Sequence, residues 1–140
     1  MKITIEAVVA TTPERVWACW TEPEHIVHWN FASDDWCCPN AENDLRVGGR
    51  YRARMEAKDG SFGFDFEAIY DEVSAPHALT YTMDDDRKVM TRFEKQGGST
   101  RVRQTFDAEE SNSIEMQRDG WQAILDNFKA YVERAESAQA

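Results

Sequence analysis

The feature that most restricts the fold of this 140-residue chain is a change in the spacing of its apolar residues at Ser113. Across residues 50–107, apolar and polar side chains alternate, and this alternation predicts half-buried β-strands. Turn residues at Lys58–Gly60 and Gln96–Gly98 predict hairpins between neighbouring strands. From Ser113 the apolar residues recur at helical spacing, which predicts a long amphipathic helix that must bury one stripe against the sheet.

Local signals define the elements that come before this region. The alternating segment 2–9 predicts a first strand. Thr12 is a suitable N-cap and Pro13 suits the first helical position, so a short helix follows, and Pro23 marks the start of a second short helix. Residues 30–44 are predicted to form a loop. The predicted order is therefore a strand, two short helices, about six further strands by alternation and the long helix.

The acidic net charge argues against nucleic acid as a partner. The chain has 16 basic and 26 acidic residues and a formal net charge of -10, so it repels nucleic acid on average. Three arginines at alternate positions are expected on the solvated face of a strand: Arg50, Arg52 and Arg54.

Length, hydropathy and cysteine content predict one cytoplasmic domain spanning residues 1–140. No apolar run approaches the roughly 20 residues that a membrane-spanning helix needs. The N-terminus alternates where a signal peptide would have a continuous apolar block, so no membrane association is expected. Three cysteines, two of them adjacent, make a poor disulfide framework and are typical of a reducing compartment.

Four segments together resemble a known family. They are "PERVWACWTEPEHIVHW" (13–29), "DLRVGGRYRARMEAKDG" (44–60), "FDFEAIYDEVSAPHALTYTM" (64–83) and "GWQAILDNFKAYVE" (120–133). In order and spacing they are similar to the family named for the C-terminal domain of the activator of the heat-shock protein 90 ATPase. That family belongs to the SRPBCC superfamily, also called START-like or helix-grip.

The resemblance implies an α+β, helix-grip fold. A curved antiparallel sheet of seven strands wraps around the long C-terminal helix, and two short helices follow the first strand. Related proteins commonly enclose an apolar cavity between sheet and helix. Family glycines recur as Gly48, Gly49 and Gly60, whereas Ala68 stands inside the long strand where relatives often carry glycine, which alters a bulge or tightens the cavity.

The predicted ligand site combines alternation with this resemblance. Inward-facing aromatic and apolar residues of the strands and the last helix would line the cavity, although ordinary core packing is an equal alternative for each of them. The aromatic residues of the 24–40 segment would anchor the loop and form the cavity rim. The predicted ligand-binding residues are Trp29, Trp36, Tyr51, Met55, Phe64, Phe66, Tyr81, Phe93, Trp121, Leu125 and Phe128.

Two chemical interpretations of the 24–40 segment are less favourable. A metal site would use His25 and His28 with Cys37 or Cys38, but this spacing lacks the paired ligands of a structural zinc site. A cysteine nucleophile assisted by His28 would need positive neighbours, whereas carboxylates such as Asp34 lie close in sequence and raise a thiol pKa. No metal, cofactor or catalytic residue is therefore predicted.

The first functional hypothesis is a protein that binds a small hydrophobic ligand without covalent chemistry. An alternative is an enzyme of the cyclase or hydratase kind that uses Tyr51, Tyr81, His28 or Asp34 as acid and base. A third is a stress-related adaptor that contacts a chaperone through an outer face. The co-chaperone that names the family has a separate N-terminal domain and this sequence shows none, so activation of a chaperone ATPase is not expected.

Overall fold

The computed structural model describes residues 1–139, with the side chains of residues 1–136. The chain begins with β1 (Lys2–Val9), α1 (Pro13–Thr21) and α2 (Pro23–Ile26). Seven further strands and a terminal helix follow: β2 (Trp36–Cys37), β3 (Ala41–Asn43), β4 (Arg50–Ala57), β5 (Gly63–Ser74), β6 (Ala78–Met83), β7 (Lys88–Gln96), β8 (Ser99–Asp107) and α3 (Ile114–Gln139).

The strands form one antiparallel sheet in the order β1-β8-β7-β6-β5-β4-β2, and β3 also pairs with β4. Because β2 and β3 lie along the same edge of β4, they act as one interrupted strand, which gives the seven-stranded curved sheet of the helix-grip fold. The prediction of a plain loop over residues 30–44 was wrong. These two strands span only two and three residues, too short for alternation to reveal them.

The helix boundaries follow the predicted caps. The backbone amide of Arg15 donates to Thr12 Oγ1 over 3.4 Å at the start of α1, and Pro13 occupies the first turn. The amide of Met116 donates to Ser113 Oγ over 3.1 Å at the start of α3. The change of apolar period at Ser113 therefore coincides with a real element boundary.

The concave face of the sheet and α3 share one core. Inward-facing residues of β7 and β8 are buried and pair across the two strands: Val89 with Phe106, Thr91 with Gln104, and Phe93 with Val102. Trp121 of α3 stacks on Phe106, with ring centroids 4.0 Å apart. Stacking at this distance fixes the first half of the helix against β8.

Polar contacts tie α3 to one side of the sheet. Gln122 Nε2 donates to the carbonyl of Glu6 over 3.1 Å, and Lys129 Nζ donates to the carbonyl of Val8 over 2.6 Å. Asn127 Nδ2 donates to the carbonyl of Trp29 over 3.1 Å, which connects the helix to the segment after α2. These bonds seat α3 along β1, so that β4, β5 and β6 curve around its other side.

A glycine turn before β4 holds the strand in register with β5. Gly48 adopts a φ of 83°, and a Cβ at Gly49 would lie 2.0 Å from the carbonyl oxygen of Asp44, so a larger residue does not fit there. The Gly48 amide donates to the carbonyl of Tyr70, and the Tyr70 amide donates to the carbonyl of Gly49. Register shifts between Tyr70 and Glu72, and this bulge lies beyond the fully buried Ala68.

The outer face of the sheet carries the arginine stripe. Arg50 pairs with Glu67 at 3.3 Å and Arg52 with Glu42 at 2.9 Å, which agrees with a solvated strand face. Exposed pairs of this kind contribute little to stability. Within residues 1–139, no helix is both long enough and apolar enough to span a bilayer.

Candidate functional site

A cavity of about 370 Å³ lies between α3 and the concave face of the sheet. Its wall combines residues of α1, the segment after α2, strands β4, β5, β6 and β8, and α3. The lining residues are Trp20, Trp29, Asn30, Tyr51, Met55, Phe64, Phe66, Tyr70, Tyr81, Met83, Arg87, Gln104, Glu109, Trp121, Ile124 and Leu125. The wall is mainly aromatic and aliphatic with a few polar groups, which is the usual composition of a small-molecule site.

Three aromatic rings from neighbouring strands form the sheet side of the cavity. The ring centroids of Tyr51, Phe66 and Tyr81 lie 5.9 Å from one another. Tyr51 stands opposite the small Ala68 in the β4–β5 pair, which leaves room for the rings of β4 and β6 to approach each other across β5. On the helix side, Trp121 and Leu125 complete the wall.

Some polar side chains of the wall have a hydrogen-bond partner within the protein, and one does not. Asn30 Nδ2 donates to the Tyr51 hydroxyl over 3.1 Å, and the Tyr70 hydroxyl donates to Asn43 Oδ1 over 2.8 Å. By contrast, the Tyr81 hydroxyl makes no hydrogen bond with any residue that the structure describes, although only 6% of the side chain is exposed. The cavity wall therefore contains one hydroxyl without a protein partner.

Burial keeps the wall tyrosines protonated. It raises the pKa of Tyr70 to about 12, against the opposing effect of its hydrogen bond to Asn43. Burial also raises the pKa of Tyr51 and of Tyr81 well above the usual range, because a phenolate would lack solvation there. At neutral pH these hydroxyls are therefore hydrogen-bond donors rather than bases.

The charged residues of the cavity wall come from the β6–β7 turn and from the segment between β8 and α3. Arg87 Nε donates to Asp85 Oδ2 over 2.7 Å, so this lining cation is already paired with a carboxylate. Glu109 also lines the cavity, and its carboxylate accepts from Asn112 Nδ2. A second depression of about 210 Å³ begins at the same residues and extends to Met116.

The structure brings eight of the eleven predicted residues into the cavity wall; contact with a ligand remains a prediction for each of them. The eight are Trp29, Tyr51, Met55, Phe64, Phe66, Tyr81, Trp121 and Leu125.

The other three predicted residues lie outside the wall. Phe93 faces inward, but Trp17 and Trp20 of α1 cover it at centroid distances of 5.6 and 5.7 Å. Phe128 is fully buried behind Trp20 and Trp29.

Trp36 packs instead at the outer end of the β4–β5 hairpin. Its ring centroid lies 5.9 Å from that of Phe62 and 6.2 Å from that of Phe64. Phe64 also lines the cavity, so this half-exposed aromatic group continues the apolar wall outward. Trp36 therefore lies at the rim of the cavity, as predicted for the aromatic residues of the 24–40 segment, and not in its wall.

Half of the residues that line the cavity were not predicted from the sequence. Some of these residues carried a usable signal: Trp20 lies on the apolar face of α1, and Tyr70 and Met83 follow the alternation of β5 and β6. Gln104 also follows the alternation of β8, between Val102 and Phe106. The polar residues outside strands and helices carried none, because loop residues show no periodicity. The missed residues are Trp20, Asn30, Tyr70, Met83, Arg87, Gln104, Glu109 and Ile124.

The candidates for other chemistry lie mostly away from the cavity. His28 is exposed and stacks on Tyr131 at 5.7 Å, and Asp34 is exposed in the loop before β2, so of the four predicted acid and base residues only the two tyrosines reach the wall. Burial raises the pKa of Cys38 to about 11, which leaves the thiol protonated and unreactive. Within residues 1–139, no group of three or more His, Cys, Asp or Glu side chains is arranged to hold a metal ion.

A curved antiparallel sheet gripping a C-terminal helix over an apolar cavity defines the helix-grip, or START-like, class of proteins. Residues 10–133 match the family described as "Activator of Hsp90 ATPase homolog 1-like protein". The chain belongs to this family. Among curated proteins, none matches the sequence.

Solved structures agree with this assignment. The AHSA1-like protein from Aeromonas hydrophila is 49% identical, with 97% of this chain and 94% of that chain covered and a TM-score of 0.92. Chr148 from Cytophaga hutchinsonii is 46% identical over the same shares of the two chains, with a TM-score of 0.83. CV1439 from Chromobacterium violaceum shares the fold at 24% identity and a TM-score of 0.85, covering 95% of this chain and 98% of that one.

Proposed function

We propose that this protein binds a small, largely apolar molecule in the cavity between α3 and strands β4, β5 and β6, without covalent chemistry. The observation that carries the proposal is the cavity itself, with its volume of about 370 Å³. Protein interiors pack densely and contain few voids larger than a water molecule. A chamber of this size falls in the range of small-molecule pockets, which begins at about 300 Å³.

The wall supports an apolar ligand with a few oriented polar atoms. Rings such as Phe66 and Trp121 provide apolar surface, whereas hydroxyl and amide groups are few. The tyrosine hydroxyls remain protonated, and the exposed His28 and Asp34 are not part of the wall. This arrangement favours recognition over acid-base catalysis.

The direct test is native mass spectrometry of gently purified protein, followed by thermal denaturation with a library of hydrophobic compounds. A ligand at 100 times its dissociation constant stabilises the native state by about 2.7 kcal/mol, so binding raises the melting temperature. We expect at least one compound class to do so. Absence of any bound mass, together with an unchanged melting temperature across the library, refutes the proposal.

A matched pair of variants connects binding to the cavity. Met83→Trp places a larger side chain in the wall and should abolish the ligand-induced rise in melting temperature. Met90→Trp makes the same exchange at an exposed position on β7 outside the wall and should preserve it. An equal response of the two variants locates binding elsewhere on the protein.

A chaperone contact stays a prediction for this chain. The description of its family refers to an activator of the Hsp90 ATPase. Co-purification of a chaperone from cell extract, weakened by salt as the acidic surface requires, is the expected sign of such a contact. The cytoplasmic location likewise stays a prediction.

A further inference from the structure

Two tyrosine hydroxyls in the wall have protons that no residue in the described part of the chain accepts. The side chain of Tyr81 is 6% exposed and that of Tyr51 is 8% exposed. Tyr81 makes no hydrogen bond there, while the Tyr51 oxygen accepts from Asn30 Nδ2 and keeps its own proton free. Both residues line the vacant volume, so a ligand that fills it has to supply an acceptor for each free hydroxyl proton.

We infer that the ligand of the cavity is a neutral molecule with a carbonyl-type oxygen, which accepts hydrogen bonds from Tyr81 and Tyr51 while its apolar body lies among the surrounding rings. This inference rests on the proposed function and specifies its ligand class. The two phenol rings lie 5.9 Å apart and both line the wall, so their hydroxyls belong to one region of the cavity. A carbonyl oxygen has two lone pairs and can accept from both.

Charge in the wall selects against an anionic ligand. Arg87 is the cation among the described lining residues, and its Nε already donates to Asp85 Oδ2 over 2.7 Å. Glu109 also lines the cavity and adds a second negative charge. A carboxylate in the cavity would lose its hydration, would have to share Arg87 with Asp85 and would meet the charge of Glu109, which makes carboxylic acids poor ligands.

A pure hydrocarbon would be a poor ligand for the opposite reason. It would fill the apolar volume but leave the Tyr81 and Tyr51 protons without an acceptor and without water. Binding sites that present hydrogen-bond donors discriminate against analogues lacking the matching acceptor. The expected order of affinity for one carbon skeleton is therefore ketone first, with the hydrocarbon and the carboxylate below it.

Three probes with the same pair of phenyl rings test this order by calorimetric titration. Benzophenone carries the carbonyl, diphenylmethane lacks it, and diphenylacetate replaces it with a charged group. Wild-type protein should bind benzophenone most tightly. Tyr81→Phe should weaken benzophenone binding about five- to tenfold, because a neutral hydrogen bond is lost from the ketone complex. The same variant should strengthen diphenylmethane binding, because the hydrocarbon then buries one hydroxyl fewer without an acceptor.

Tyr131→Phe is the matched control. The Tyr131 hydroxyl pairs with His25 Nδ1 at 2.6 Å, outside the cavity wall, so its removal should not change the ratio of ketone to hydrocarbon affinity. Without ligand, Tyr81→Phe should melt no lower than wild type, since its hydroxyl has no partner in residues 1–139. An unchanged melting temperature shows that weaker benzophenone binding by Tyr81→Phe is not caused by a loss of folding.

The outcomes distinguish this inference from the proposed function. If the wild type binds benzophenone no better than diphenylmethane, or if Tyr81→Phe preserves the ratio, the ligand class is refuted while binding in the cavity stands. Preference for diphenylacetate refutes the class as well. If none of the three probes binds and the hydrophobic library is also inactive, both the proposed function and this inference fail.

Discussion

Phe128 marks the boundary between solid packing and open volume on the helix side of the molecule. Its side chain is 0% exposed, and the rings of Trp20 and Trp29 each meet it edge-on with centroids 4.8 Å away. Truncation of a tightly packed phenylalanine costs about 3–5 kcal/mol. Edge-to-face pairs add about 0.5–1.5 kcal/mol beyond burial, so Phe128→Ala should lower the free energy of unfolding by about 4 kcal/mol.

Ile124→Ala is the comparison, because Ile124 lies one helical turn away, is partly buried and lines the cavity. Removed atoms that faced open volume had fewer neighbours, so a loss of about 1–2 kcal/mol is expected. Equilibrium urea denaturation, analysed with a common m-value, measures both changes. A loss for Phe128→Ala below about 2 kcal/mol, or one no larger than that for Ile124→Ala, would refute the assigned boundary.

Three further predictions concern single groups. Tyr70→Phe should lower stability in urea denaturation by about 1 kcal/mol, because it leaves Asn43 Oδ1 without its donor; an unchanged midpoint contradicts this. The hydrogen bond from Lys2 lowers the pKa of Asp107 below its ordinary 3.8, so its contribution is complete above that pH and lost as pH falls through the lowered value. In Asp107→Asn, the free energy of unfolding should therefore fall less steeply as pH is lowered below about 4. An unchanged pH dependence refutes the contribution assigned to Asp107. Native protein at pH 8 should resist alkylation at Cys38, because burial raises the pKa of its thiol to about 11. Mass spectrometry measures the labelling, and rapid modification of Cys38 would contradict this prediction.

Most of the strand architecture was predictable because each signal was local. In β7 and β8, alternation identified the inward residues. The exact register was not predicted, because Gln96 still pairs with Ser99 and the turn is two residues long. The cap at Ser113 located the start of the long helix. Resemblance to the family then supplied the curvature and the relation of sheet to helix, which no single segment encodes.

The boundary of the cavity was not predictable in the same way. Phe93 and Tyr81 follow identical alternation, yet Trp17 and Trp20 cover the former while the latter faces open volume. The difference depends on how α1 is seated across the sheet, a tertiary relation between distant segments. Arg87, a loop residue without periodicity, carried no signal that placed it in the cavity wall.

The hydrogen bonds of α3 lie on one side of the sheet, and this bears on the width of ligand that the proposed site could hold. Gln122, Lys129 and Asn127 fasten the helix to β1 and to the segment after α2, whereas no side chain of residues 1–136 hydrogen-bonds α3 to β4, β5 or β6. Flexing of that half of the sheet would widen the chamber without breaking any of these attachments. Under the proposed function, ligands of different width would be accommodated by movement of these strands, while α3 keeps its position.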